Sequence, residues 1–288
     1  MAAMEELPTG RIERVAPLVR RLLAPNPSPF TYTGTQVFIV GDGEVAVIDP
    51  GPDDPVHIEA LLSALAGEHV SAILCTHTHR DHSPASRALA AATGAPIVGC
   101  APLPLAAEDI RSDESFDPDY RPDRVLADGE SLSVPGWTLE AVATPGHTSN
   151  HLCFALPETK TLFSGDHVMG WSTSIVAPPD GDMGDYMRSL DKLLARDDSI
   201  YLPTHGPAVT DPHAHVQRLI AHRRGREDQI VAHLGGGGAR IGDMVRHMYR
   251  EVDPGLHPAA ALSVLAHLLD LKSRGRVRVE GDEWRLGP

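Results

Sequence analysis

The sequence predicts a layered α/β protein with mixed sheets, followed by a smaller helical module. Three observations carry this expectation. Strand-like runs come in clusters separated by helical stretches, without a strict one-strand, one-helix alternation. Several of these runs stop at a turn shaped by Gly or Pro, with a His or Asp on its lip. After about Thr210 the pattern changes to amphipathic helices closed by a hairpin.

Taken in order, residues 36–40 and 44–49 flank Gly41-Asp42-Gly43, a hairpin signal because Asp-Gly accepts positive φ. The mostly apolar run 70–75 suits a strand buried on both faces. Further strands are expected at 137–142, 151–156, 161–164 and 199–202, and helices at 55–66, 84–93 and 185–196. A helical stretch then runs to Leu234, with Val216, Leu219, Ile220, Ile230, Val231 and Leu234 roughly on one face. Ile241, Met244, Val245 and Met248 follow at amphipathic spacing, and a second helix passes through Leu262, Leu265, Leu268 and Leu269. Residues 276–286 alternate apolar and polar side chains about Gly281-Asp282, the pattern of a β-hairpin. Helices closed by a hairpin suggest a winged helix, so the chain divides into residues 1–210 and 211–288.

Composition agrees. A chain of 288 residues, 42% hydrophobic and 22% charged, has room for one large domain and one small one. No window approaches the roughly 18 to 20 continuous apolar residues that span a bilayer, so no membrane partner is expected. MAAMEELPTG has no basic stretch leading into an apolar one, which speaks against a signal peptide. Cys75, Cys100 and Cys153 form no CxxC pair and read as small buried residues in a reducing cytoplasm. The net charge of −14 is unevenly spread. Residues 1–217 carry 13 Lys and Arg against 30 Asp and Glu, a balance of −17; residues 218–288 carry 12 against 9, a balance of +3. Such asymmetry marks modules with different partners, or simply a solvated basic face.

The chemistry concentrates in Thr76–His82, THTHRDH, with three histidines and a carboxylate in six residues. On an extended segment His77 and His79 project to the same side. A turn into a helix then swings Asp81 and His82 to the adjacent side. Neutral imidazole and carboxylate are the ligands of zinc and related divalent ions. Three more strand ends repeat the device: His147 in Thr144–Thr148, Asp166 in Ser164–His167 and His205 in Pro203–Pro207. Taken singly, each is a turn residue as readily as a ligand. Together the seven furnish two adjacent metal sites, provided that Asp166 bridges them.

HTHRDH, TPGHT, SGDH and PTHGP, in this order, resemble the metallo-β-lactamase superfamily over the first 210 residues. The resemblance implies an αββα sandwich with metals at one edge of the paired sheets. It implies that His77, His79 and His147 hold one zinc ion and that Asp81, His82 and His205 hold a second, two per chain. Asp166 and a hydroxide would lie between the ions. Val45–Gly51 is similar to the superfamily's first motif, in which the aspartate, here Asp49, supports the metal loop without being a ligand. β-Lactamases of the best-known zinc classes usually carry Cys or Ser in place of Asp166, which speaks against antibiotic hydrolysis as the native role. Oxygen-reducing diiron relatives place a glutamate where His79 stands, which favours zinc over iron. Gly165-Asp166-His167, Asp185-Tyr186-Met187, His205-Gly206-Pro207 and the stretch 222–230 resemble the β-lactamase-like protein 2 group, which joins this domain to a C-terminal winged helix and is associated with cleavage of single-stranded RNA.

The expected activity is therefore that of a zinc-dependent hydrolase, with Asp166 as the bridge and Asp81 as an acceptor for the proton of the shared water. Single-stranded RNA is the leading substrate, with Arg223, Arg224, Arg226, Arg276 and Arg278 as guides for its phosphates. A carbonyl hydrolase acting on a small thioester or lactone, or a weak β-lactamase, is the alternative. A nucleic-acid-binding regulator with purely structural metals fits less well, because a structural zinc site needs no bridging aspartate. Asn150 and His151 could be strand-start residues or supports for the ligands. The leaving-group acid is not identifiable, and the oligomeric state stays open between a monomer and a homo-oligomer.

Overall fold

The computed structural model describes residues 9–103 and 116–287, which form two compact units. The first comprises residues 9–103, 116–144, 150–172 and 197–212, and the second comprises 145–149, 173–196 and 213–287.

The first unit is built on two sheets. One runs β1 (Glu13–Ala16), β2 (Val19–Leu23), β3 (Gln36–Asp42), β4 (Glu44–Ile48), β5 (His69–Cys75), β6 (Ile97–Gly99) and β7 (Arg124–Val125), in that spatial order. Pairing is antiparallel from β1 to β4 and parallel from β4 to β7. The other holds β8 (Ser131–Val134), β9 (Trp137–Ala143), β10 (Leu152–Leu156), β11 (Thr161–Gly165) and β12 (Ile200–Pro203). Only its β11–β12 pair is parallel.

Both sheets contribute to one apolar core, in which Val37, Ile39, Val47 and Ile73 meet Leu139, Phe154 and Phe163. Phe38 and Phe163 rings lie 5.2 Å apart across it. Fully burying side chains of this size contributes about 1.5–3 kcal/mol each, so the sandwich is held chiefly by this interior. Helix α1 (Pro55–Ala64) starts with Asp54 accepting from the His57 N–H and Pro55 in its first turn, and α2 (Ala85–Thr93) packs against β5. Cys75, Cys100 and Cys153 are buried and unbridged.

The second unit contains α3 (Met183–Leu194), α4 (Pro212–Leu234, all but its first residue), α5 (Ile241–Met248), α6 (His257–Ser273) and the hairpin β13 (Val277–Glu280) with β14 (Glu283–Leu286). Ile230 and Leu234 of α4, Met244 and Val245 of α5, Val264, Leu268 and Leu271 of α6, and Val277 and Trp284 of the hairpin form its core. Ala239 exchanges two backbone hydrogen bonds with Trp284, adding a third strand-like edge to the wing. The expected tail helices and the turn at Gly281-Asp282 are all present. Among the described residues no helix is long and apolar enough to cross a membrane.

The expected strands and helices occur within one or two residues of their anticipated ends. The exceptions are strands β1, β2, β6, β7 and β8, which the sequence pattern does not announce. They are two to five residues long and lean on their neighbours for definition.

His267 on α6 is 2% exposed with neither ring nitrogen hydrogen-bonded. Burial, reinforced by the charge of Arg223, pushes its pKa down to about 3. The folded chain therefore holds this ring neutral, while the unfolded chain protonates it below the ordinary histidine value. Stability should fall by up to about 1.4 kcal/mol per pH unit from that value down towards 3. His267→Leu should remove this component from urea unfolding measured at stepped pH. An unchanged slope in the variant would refute the assignment.

Candidate metal centre

Parallel strands end together at one edge of the first unit, and the predicted residues of that unit lie there. Asp49 follows β4, Thr76–His82 follows β5, Asp166 follows β11 and His205 follows β12. The organising group is the Asp49 carboxylate, which has no solvent exposure and sits at φ +48°. One oxygen accepts the Thr76 N–H at 2.8 Å. The other accepts the Thr76 hydroxyl at 2.8 Å, the His82 ring at 2.9 Å and the Thr204 hydroxyl at 2.9 Å.

These bonds fix tautomers. Asp49 accepts at His82 Nδ1, so in the neutral ring Nε2 is the lone-pair atom. Nε2 is buried without a hydrogen-bond partner, 3.5 Å from Asp81 Oδ2 and 3.6 Å from Asp166 Oδ2. His205 follows the same scheme. Its Nδ1 donates to the Gly34 carbonyl at 3.2 Å, and its Nε2 lies 3.1 Å from Asp81 Oδ2 and 3.5 Å from Asp166 Oδ1. At His77, Thr76 Oγ1 donates its proton to Asp49 and so accepts from Nδ1 at 3.0 Å. His77 Nε2 then faces His79 Nδ1 at 2.8 Å.

His151 positions Asp166. Its Nδ1 meets Thr144 Oγ1 at 2.9 Å, and its Nε2 accepts the Asp166 backbone N–H at 3.2 Å. Gly165 makes this approach feasible, because a Cβ there, at φ +53°, would lie 2.5 Å from His151 Nε2. Asn150 Nδ2 donates to Thr78 Oγ1 at 3.3 Å and to the Ala101 carbonyl at 2.7 Å, which makes it a brace for the histidine loop. His147 lies on the turn Pro145–Ser149, within the second unit, where Ile175 O accepts from its Nδ1 at 2.6 Å. Its Nε2 is again the lone-pair atom.

His77, His82 and Asp166, and likewise Asp81, His82 and His205, offer ligand atoms within 4.8 Å of one another. Carboxylate oxygens and imidazole lone pairs aimed at one buried volume repel unless a cation lies among them. In the metal-free chain that cation is the proton. Burial opposes charging His82, but Asp81, Asp166 and Asp49 overcome it and raise its pKa well above the ordinary value. His205 is raised against the same burial cost by Asp166 and Asp81. Asp81 is lowered, because His82 and His205 outweigh the burial that alone would raise it. A divalent ion satisfies the same demand with the same donors, so the residues present fit a metal.

The sequence leaves His151 open between a strand-start residue and a support, without pointing to Asp166, and does not single out Thr76 and Thr204 as buried donors. Each threonine directly precedes a candidate histidine at a strand end, and that was the signal to find them by.

The metallo-β-lactamase superfamily model matches residues 31–205. The chain belongs to the metallo-β-lactamase superfamily. The model of the β-lactamase-associated winged helix domain matches residues 241–284 of this superfamily member. The β-lactamase-like protein 2 homolog of Drosophila melanogaster is 33% identical over 93% of this chain and 92% of its own. An atrochrysone carboxyl ACP thioesterase of Claviceps purpurea is 31% identical over 86% of this chain and 76% of its own. A β-lactamase domain protein from Burkholderia ambifaria shares the fold, with a TM-score of 0.83, 22% identity and coverage of 99% of this chain and 96% of that one. A further structure, solved in a di-iron-bound form, is 29% identical with a TM-score of 0.50, covering 64% of this chain and 92% of that one. Superfamily members are metal-dependent hydrolases, and this one carries the donors for a metal.

Asp49→Asn keeps the shape but replaces one accepting oxygen by an NH2 group, which cannot accept the Thr76, Thr204 or His82 protons. Zinc affinity should fall about tenfold to a hundredfold, as for other groups that orient ligating histidines. Competition against a chromogenic chelator measures it; equal affinity in the variant would show that Asp49 does not orient the ligands.

Proposed function

We propose that the chain is a hydrolase holding two zinc ions and acting on a carbonyl substrate, a thioester or a lactone. The observation that carries the hydrolytic reading is the buried, unbonded His82 Nε2 facing Asp81 and Asp166 beside His77 and His205. His77, His79 and His147 are assigned to one ion, Asp81, His82 and His205 to the other, and Asp166 to both. Asn150 supports this assignment of His147, since it follows the His147 turn closely and is bonded to Thr78, between His77 and His79. Bound there, the ions would supply Lewis acidity and a water deprotonated near neutral pH. Asp81 accepts the proton of the attacking water at its carboxylate. Asp166, steered by His151, turns Oδ2 towards His82 Nε2 and Oδ1 towards His205 Nε2. In this reading zinc is preferred over iron because His79 stands where oxygen-reducing diiron relatives place a glutamate.

The choice of a carbonyl over RNA rests on the tail arginines. Arg223 is 3% exposed, lies over the Tyr186 ring at 5.1 Å and donates to the Ser174 carbonyl. Arg226 stacks on Tyr249 at 4.4 Å and donates to Gln229. Arg276 pairs with Glu227 at 2.9 Å, and Arg278 with Glu280 at 2.8 Å. Four of the five expected guides thus have partners within the chain. The relatives named as ACP thioesterases favour the carbonyl class independently. Single-stranded RNA is the second reading, favoured by the winged-helix match and by exposed Arg224.

Elemental analysis should find about two zinc ions per chain. Asp166→Ala should lose hydrolysis and part of the zinc while circular dichroism stays unchanged; full turnover with full zinc would refute the bridge. A thioester, a lactone and a labelled RNA should be compared at stepped salt. The carbonyl reading expects ester turnover insensitive to salt. RNA cleavage that falls with salt and with Arg224→Ala, without ester turnover, would establish the other reading.

A pH prediction follows from His82 and His205. Both are raised in the metal-free folded chain, so protonation stabilises that chain below the ordinary histidine pKa, and this stabilisation is lost as pH rises through the raised values. Zinc needs both rings neutral, so its affinity should strengthen over the same rise, with proton release on binding. Calorimetry in buffers of different ionisation enthalpy measures the release; none near neutrality would contradict the scheme.

A further inference from the structure

Beside His205 the first unit presents an aromatic surface that the hydrolytic chemistry does not use. Tyr32 and Trp171 rings stack with centroids 5.0 Å apart and planes inclined by 29°. Each arrives from a different element that touches the His205 turn. Tyr32 lies two residues before Gly34, whose carbonyl accepts from His205 Nδ1 at 3.2 Å. Trp171 lies five residues after Asp166 and packs on Gly206, where a Cβ, at φ +85°, would sit 2.5 Å from Trp171 Cδ1. The glycine is what lets the indole approach the turn that carries His205 so closely.

The loop bearing Tyr32 is braced before any ligand arrives. Asn26 Oδ1 accepts the Thr35 N–H at 2.9 Å and Asn26 Nδ2 donates to Thr35 Oγ1 at 2.9 Å. Ser28 Oγ accepts the N–H groups of Phe30 and Thr31, both at 3.1 Å. Tyr32 itself is held at φ +58°. Yet the loop leaves Phe30 62% exposed, and Trp171 remains 36% exposed, whereas Trp137 and Trp284 are 2% and 7% exposed. An apolar surface kept open on a rigid frame, beside convergent metal-type donors, is the pattern of a binding wall.

We propose that Tyr32 and Trp171 form a wall against which a flat, π-bearing acyl group lies while its carbonyl is presented beside His205. The acyl part of this assignment rests on the carbonyl hydrolase reading. An aliphatic chain of similar size gains only area there, whereas an aromatic ring gains the offset-stacked geometry as well, about twofold to tenfold in affinity.

The test compares a benzoyl and a hexanoyl thioester of the same thiol, with the zinc-loaded full chain and its Trp171→Ala and Trp171→Phe variants, zinc content and circular dichroism being checked for each. Trp171→Ala should raise KM for the benzoyl substrate about fivefold to tenfold, with less change in kcat, and should leave the hexanoyl substrate within about twofold. Trp171→Phe should recover most of the loss. Equal losses on both substrates, or unchanged KM for both, would overturn the wall. A second measurement needs no turnover: bound benzoate should shield Trp171 from acrylamide quenching at roughly tenfold lower concentration than hexanoate. If no thioester is hydrolysed, the proposed function falls while benzoate shielding still upholds the wall. Absence of shielding overturns the wall even if thioesters are hydrolysed. Shielding by adenosine monophosphate and not by benzoate would overturn the acyl assignment in favour of a nucleobase.

Discussion

The Asp49 carboxylate is the interaction from which the rest of the site follows. Removing a charged carboxylate from water is costly unless several donors meet it. Here one residue on the β5 loop supplies two, His82 supplies a third, and Thr204 at the end of β12 supplies a fourth. The donors come from both sheets of the sandwich. One buried charge therefore ties the sheets together at the edge where the candidate ligands stand and orients the imidazole that sits between the two donor sets.

Much of this was legible in the sequence. Two histidines two apart after an apolar β-run must share a side, and Gly- or Pro-shaped turns bearing a His or Asp marked three further strand ends. Asp49 was legible as a support through the superfamily motif. The bond from His151 to the Asp166 backbone was not, because it depends on two strands pairing in one register and on a glycine that admits a ring. Nor were β6 and β7, whose short runs become strands only once β5 offers an edge. The seventh candidate, His147, was visible as a turn residue, but the carbonyl of Ile175 that sets its tautomer is far along the chain.

The C-terminal charge shows where counting residues falls short. A balance of +3 describes a composition, while a phosphate responds to the local field. In that unit arginines alternate with the carboxylates of Glu227, Asp270, Glu280 and Glu283, and Arg223 is enclosed beside Tyr186 and the neutral ring of His267. Such pairs contribute little to stability when exposed, about 0–1 kcal/mol each. Their larger effect is to shorten the range over which the positive charge is felt.

The His205 turn is fastened to the first sheet by groups that no ion touches. Gln36 donates its backbone N–H to the Thr204 carbonyl at 2.9 Å and its side-chain amide to the carbonyls of Pro203 and Gly206 at 3.0 and 2.6 Å. The position of His205 is thus set by peptide groups of the adjoining strand as well as by its own ring bond to Gly34. A change at Gln36, which is no candidate ligand, would therefore loosen the donor set from a distance.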